Sequence, residues 1–245
     1  MIILKIAIFL LYLVTGGLYL YFGWNISFLS IALAVSFFWI ASVFHMVLHE
    51  YGHLIGGWIS GYKLVLLTSG FINLKQDRKG KLSLSIGKTY GGQCIMLPGD
   101  HVPIRYKAYN AGGIIINLFY SLVGLGLIIP DIPWLRLLAI ALFFAGWNKV
   151  LSNLIPRLHH SIPNDGYILR LLKKRPAVQY DYARYLNLYA TMFWKEPVQA
   201  EEYSYERETA ESTEELLYYH GIQDLLSDLD DQTNTAAIQK DQTET

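Results

Sequence analysis

The chain has 245 residues, 53% of them hydrophobic and only 16% charged, with a mean hydropathy of +0.27; an average soluble domain carries about 25% charged residues, so composition excludes an ordinary soluble protein and points to the membrane class. The formal net charge of zero averages two unlike parts: residues 1–196 hold 18 Lys and Arg against 7 Asp and Glu, whereas residues 197–245 hold 2 against 13. The single cysteine, Cys94, excludes an intrachain disulfide, and no nucleic-acid partner is expected.

A bilayer-crossing helix needs about 20 apolar residues. The first such run, Ile2 to about Trp24, carries one charge, Lys5, and ends in Tyr19, Tyr21, Phe22 and Trp24, which suit a membrane interface. Its apolar core is longer than the roughly 7–15 residues of a signal peptide and no small-x-small cleavage site follows, so it reads as a retained anchor.

The second run, about Ile26 to Trp58, contains His49-Glu50-x-x-His53 near its end. Histidines four apart leave the same face of a helix and can hold one zinc ion. Glu50 then lies beside the metal, within reach of a proton on an activated water. His45, one turn earlier, extends the histidine stripe. A helix has room for only two histidines on one tetrahedral ion, so His45 is expected behind the ligands or along a water path. Gly52, Gly56, Gly57 and Gly61 are expected to permit close helix contact.

Between the second and third runs, Gly61 to Lys107 holds eight basic residues against Asp77 and Asp100. The period-two alternation of Lys81 to Ile86, the apolar stretch Lys63 to Leu74 and the turn signal Asp77-Arg78-Lys79-Gly80 together predict a β-hairpin over about residues 62–88. Such a hairpin can cap the helices at the membrane surface, or offer an edge to an extended peptide. The positive charge places this loop in the cytoplasm.

The third run, about Ala108 to Ile129, carries Asn117, a group able to bond a helix carbonyl or a substrate oxyanion. Only Pro130 to Pro133 separate it from the fourth, about Trp134 to Leu154, so the two form an antiparallel pair. Arg136 and Lys149 lie near the ends of the fourth run and can snorkel to the interface. Arg157, Arg170 and Lys173-Lys174-Arg175 follow it and also demand the inner face. Both termini, and the His49–His53 motif, are therefore expected on the cytoplasmic side of a multi-pass protein of the cell membrane.

Catalytic zinc takes three protein ligands and leaves one position open. Asp165, in Pro163-Asn164-Asp165-Gly166, is one of few carboxylates in the body; it either caps a helix starting near Gly166 or completes the metal site. After Gly166, Val178, Tyr182, Tyr185, Tyr189 and Phe193 recur at helical spacing, predicting an amphipathic cytoplasmic helix with a packing face within 167–197. Residues 198–245 form an acidic tail, with one short helix over Glu214 to Leu229 and a disordered end.

H-E-x-G-H at 49–53 in a membrane helix, N-x-x-P at 153–156 and D-G at 165–166 together resemble the site-2 protease family of intramembrane zinc metalloproteases. The segment Ala111 to Asn117 is similar to that family's Gly-rich stretch followed by asparagine. The resemblance spans about residues 45–166. It implies a zinc protease core over residues 1–166, all-α with about four transmembrane helices. One zinc per chain would be held by His49, His53 and Asp165, with Glu50 as general base. In this family Asp-Gly usually follows the proline more closely; here Asp165 is nine residues after Pro156, and the intervening His159 and His160 are rival ligands. Gly113 stands where many relatives have proline, a departure expected to affect helix packing more than chemistry. The other membrane zinc proteases with H-E-x-x-H draw a glutamate from a later helix, and the later glutamates here begin at Glu196, outside the membrane body.

The function so implied is hydrolysis of a peptide bond in a membrane-associated peptide or protein, foremost a bacterial signalling or antimicrobial peptide precursor. Alternatives are cleavage of a membrane-anchored anti-sigma or transcription factor, and a non-enzymatic metal-dependent scaffold or peptide-immunity protein.

Overall fold

The structure is a computed structural model that describes residues 2–23, 27–87, 92–98, 104–130, 132–159 and 162–194. Four helices are long and apolar enough to cross a membrane: α1 (Ile2–Gly23), α2 (Phe28–Ile59), α3 (Tyr106–Gly124, extended as a 3-10 turn to Ile128) and α4 (Pro133–Leu154). Each lies within a few residues of its apolar run in the sequence. α2 starts at a capping box, in which the Ser27 hydroxyl accepts from Ser30 N–H and the Ser30 hydroxyl accepts from Ser27 N–H. Its 32 residues extend about 48 Å, more than the roughly 30 Å hydrocarbon layer of a bilayer.

α2 and α3 pack backbone to backbone. A Cβ on Gly52 would collide with the Gly112 carbonyl, and a Cβ on Gly112 with that of Gly52. Within lipid, such contacts between small residues replace the hydrophobic drive available in water. α1 joins the bundle through Tyr12, which packs with Ala34, Ala41, Leu137, Ala141 and Ala145 and donates its hydroxyl hydrogen to the Ala34 carbonyl. Ile3, Leu10, Val14, Trp39 and Ile40 remain exposed, as a lipid-facing surface requires.

Between α2 and α3 lies a four-stranded antiparallel sheet, β1 (Lys63–Ser69), β2 (Ile72–Gln76), β3 (Leu82–Ile86) and β4 (Gly92–Leu97), in the order β3-β2-β1-β4. The hairpin turn predicted at Asp77 to Gly80 is present: Lys81 N–H donates to Asp77 Oδ1 at 2.8 Å and Gly80 has φ +84°. A single hairpin in an otherwise all-α fold is corrected in two respects. The stretch Lys63 to Leu74 is two strands broken at Gly70 (φ +63°), and β4 completes the sheet beyond β1. β1 is central and buried at six of its seven residues. A strand covered on both faces reads as a continuous apolar run, with no alternation to mark where it ends.

Beyond α4, the short strands β5 (Leu158–His159) and β6 (Ile162–Pro163) lead to α5 (Asp165–Lys174) and α6 (Val178–Phe193). Leu172, Val178, Tyr182 and Leu186 share one core with Leu67, Cys94 and Met96 of the sheet and Leu54 and Tyr109 of the membrane helices. The segment after the membrane body is thereby bound to the end of α2 that carries the motif. The acidic tail, with the helix expected over Glu214 to Leu229, lies outside the described residues.

Candidate metal centre

His49, Glu50 and His53 lie in the last turns of α2, each under one-tenth exposed. His49 Nε2 and His53 Nε2 are 3.1 Å apart. Asp165, in the first turn of α5, places Oδ2 3.1 Å from His49 Nε2 and Oδ1 3.4 Å from His53 Nε2. Nitrogen and oxygen donors at about 2.0–2.2 Å from a tetrahedral ion stand about 3.3–3.6 Å from one another, so these separations come close to three corners of such a shell. His53 Nδ1 is 2.8 Å from the Tyr109 carbonyl; that carbonyl only accepts, so the ring proton sits on Nδ1 and Nε2 turns its lone pair to the site. Asp165 Oδ2 is buried without a hydrogen-bond donor. Lone pairs converging in a buried space are costly unless a cation lies among them, and the three residues can hold a metal ion.

Asp165 is free for this because its neighbour caps the helix. Asn164 Oδ1 accepts from Tyr167 N–H at 3.0 Å and from Arg157 N–H at 2.9 Å, while its Nδ2 donates to the Ser152 and Ile155 carbonyls. The cap is worth about 1 kcal/mol, and it also ties the start of α5 to the end of α4. Without a metal, protons on the imidazoles take the cation's place: burial opposes ionisation of Asp165, but positive charge on the His53 and His49 rings outweighs it and holds the carboxyl well below the usual carboxylate range. Of the rival ligands, His159 belongs to β5 and His160 lies outside the described residues.

The metal-ligating face opens into a cavity of about 380 Å³, within the range of small-molecule and peptide side-chain sites. Glu50 lines it, and β4 passes directly over Glu50: a Cβ on Gly92 would fall 2.6 Å from Glu50 Cγ. Tyr109 and Asn110 of α3 form another wall, and Tyr182, Tyr185 and Tyr189 of α6 close the side away from the bundle. The aromatic stripe of α6, which spacing alone marks as a packing face, thus does two jobs. Tyr182 donates to Asn110 Oδ1 at 3.2 Å, holding that wall in place. Cys94 of β4 is buried, and burial, with Glu50 nearby, pushes its thiol well above the usual range.

His45 and Asn117 are fully buried and lie behind His49, on the side away from the cavity. Asn117 contacts both histidines, at 3.0 Å from His45 Nδ1 and 3.2 Å from His49 Nδ1. Gly113 has a closer tie to the site than packing suggests, since a Cβ there would lie 2.5 Å from the His49 ring. The glycines of α2 divide: Gly52, Gly56 and Gly57 meet α3 or Met96 closely, whereas Gly61 has open space and φ +81° and serves a turn.

No family model, curated protein or solved structure matches this chain.

Proposed function

We propose that the protein is an intramembrane zinc metalloprotease that hydrolyses a peptide bond in a membrane-associated substrate. The observation that carries this reading is the convergence of His49 Nε2, His53 Nε2 and the Asp165 carboxylate beside Glu50, on one wall of a cavity. Two imidazoles, one carboxylate and no sulfur form a donor set suited to zinc, and three protein ligands leave the open position of a catalytic site.

Bound there, zinc would supply Lewis acidity that acidifies a water molecule and polarises a carbonyl. Glu50 takes one proton from the attacking water and delivers a proton to the departing amide nitrogen, so that one water is consumed and one C–N bond is broken. Tyr109 and the tyrosines of α6 exclude bulk solvent from Glu50, while the amide side chains of Gln93 and Asn153 offer hydrogen bonds to a peptide backbone. A peptide bond inside an intact helix is shielded by its own hydrogen bonds, so the substrate must enter locally unwound. The substrate class we assign is a membrane-bound precursor of a signalling or antimicrobial peptide. The test is mass spectrometry of such peptides after incubation with purified protein in detergent. Paired products whose masses sum to the substrate plus one water support the proposal, and intact substrates across a broad peptide set with zinc-loaded protein contradict it.

The loop charges orient this site toward the cytoplasm. In a Cys94→Ser background, a cysteine at Lys79, in the exposed β2–β3 turn, is expected to resist a membrane-impermeant thiol reagent until cells are opened. One at Ile129, which is 86% exposed at the α3–α4 connection, is expected to react in intact cells. The reverse pattern would turn the catalytic face outward.

A further inference from the structure

Behind the metal site three side chains and one carbonyl form a continuous line through the bundle. Asn117 Nδ2 lies 3.2 Å from His49 Nδ1, Asn117 Oδ1 lies 3.0 Å from His45 Nδ1, and His45 Nε2 meets the Leu142 carbonyl at 3.0 Å. Asn117 and His45 have no exposed surface. The line is built into the packing of α4: a Cβ on Gly146 would collide with Ser121 Oγ and would lie 2.7 Å from His45 Cε1 and 2.8 Å from its Nε2, so glycine there makes room for both side chains.

Donors and acceptors along this line are not interchangeable. The Leu142 carbonyl only accepts, so His45 Nε2 carries a hydrogen. If His49 Nε2 is to give its lone pair to a metal, neutral His49 carries its hydrogen on Nδ1. One arrangement satisfies both ends: His49 Nδ1–H donates to the Asn117 carbonyl oxygen, the Asn117 amino group donates to His45 Nδ1, and His45 Nε2–H donates to Leu142. Every contact then joins one donor to one acceptor and both rings are neutral. The amide stands in the structure with its oxygen toward His45 and its amino group toward His49, and a half-turn that exchanges the two ends, moving no other group, gives the metal-binding arrangement. With the amino end toward His49, that ring must accept at Nδ1, its hydrogen moves to Nε2, and the metal position is blocked. His45 must then donate from both nitrogens, as a buried cation with no carboxylate in contact among the described residues. In a low-dielectric bundle that is the more costly state.

We propose that Asn117 and His45 are positioning residues which fix His49 in its Nδ1–H tautomer, anchored on the Leu142 carbonyl. This rests on the reading of His49 as a metal ligand and deepens it: the relay selects which His49 nitrogen faces the metal, and His45 acts at a distance, through Asn117. Glutamine at position 45 keeps the polarity of the line, because its oxygen can accept from Asn117 while its amino group donates to Leu142. Leucine fills the space but releases the Asn117 amide to turn either way.

The experiment is zinc affinity by chelator competition on purified full-length protein, with the melting temperature of the zinc-free protein measured in parallel. Loss of outer partners of a ligating histidine typically weakens metal binding about 10–100-fold. His45→Leu and Asn117→Leu are expected to fall in that range, with His45→Gln within about threefold of wild type. A packing role would be served at least as well by leucine, so rescue by glutamine alone marks the relay. Wild-type affinity in His45→Leu, or an equal loss in His45→Gln, overturns it. Where either leucine variant fails to fold, Gly146→Ala in a Ser121→Ala background, which takes the Ser121 hydroxyl out of the way and leaves the His45 ring as the group displaced, is the substitute and is expected to weaken zinc binding at least tenfold relative to Ser121→Ala alone; unchanged affinity there overturns the relay as well. A wild-type protein that binds no zinc removes the premise, and thereby separates failure of the protease reading from failure of the relay alone.

Discussion

Replacing Asp165 by alanine is expected to strip the purified protein of its metal, with more than about 90% lost on washing with a chelator that leaves wild type loaded. Among the described residues the carboxylate supplies the oxygen donors of the three-residue group, 3.1 and 3.4 Å from the two histidine nitrogens, and without it two imidazoles on one helix remain. His49→Ala and His53→Ala are expected to behave alike. Metal analysis of each variant decides the assignment: full occupancy in Asp165→Ala, together with loss in His159→Ala or His160→Ala, would move the third ligand to the loop before α5.

Glu50→Gln separates chemistry from metal binding. The amide preserves side-chain shape against β4, where Gly92 leaves room for nothing larger, but cannot take a proton from water. Metal content is therefore expected to match wild type while the cleavage rate drops by about 10²–10⁴-fold, the usual worth of a positioned general base. Cleavage by the glutamine variant at the wild-type rate and equal zinc occupancy would remove Glu50 from the chemistry.

The parts of this fold that the sequence displays are those with an unambiguous local signal. Long apolar runs locate the four helices because a membrane demands length and lack of charge, and i, i+4 spacing places His49 and His53 together whatever the tertiary structure does. Signals that depend on distant partners were less legible. Asn164 and Asp165 are both good helix caps, and the choice between them was made by Arg157 N–H and the Ser152 carbonyl, groups whose proximity no local pattern reveals. β4 carries no local signal, because Gly92-Gln93-Cys94 shows no alternation; its place is fixed by pairing to β1 and by Met96 packing on Gly57. The α6 tyrosines gave a periodic stripe, but periodicity reports that a face is covered and is silent on whether the covering partner is a core or a cavity. Gly113 and Gly146 carried no sign that each makes room for a histidine ring.

Zinc K-edge X-ray absorption on the purified, zinc-loaded wild-type protein tests the central claim most directly, because it reads the ligands without requiring a substrate. The metal centre built from His49, His53 and Asp165 predicts one zinc per chain with a four-coordinate nitrogen and oxygen shell at about 2.0–2.2 Å, outer-shell scattering from two imidazoles, and no sulfur. A shell with three or more imidazoles, a sulfur contribution, or protein that retains no zinc would contradict it.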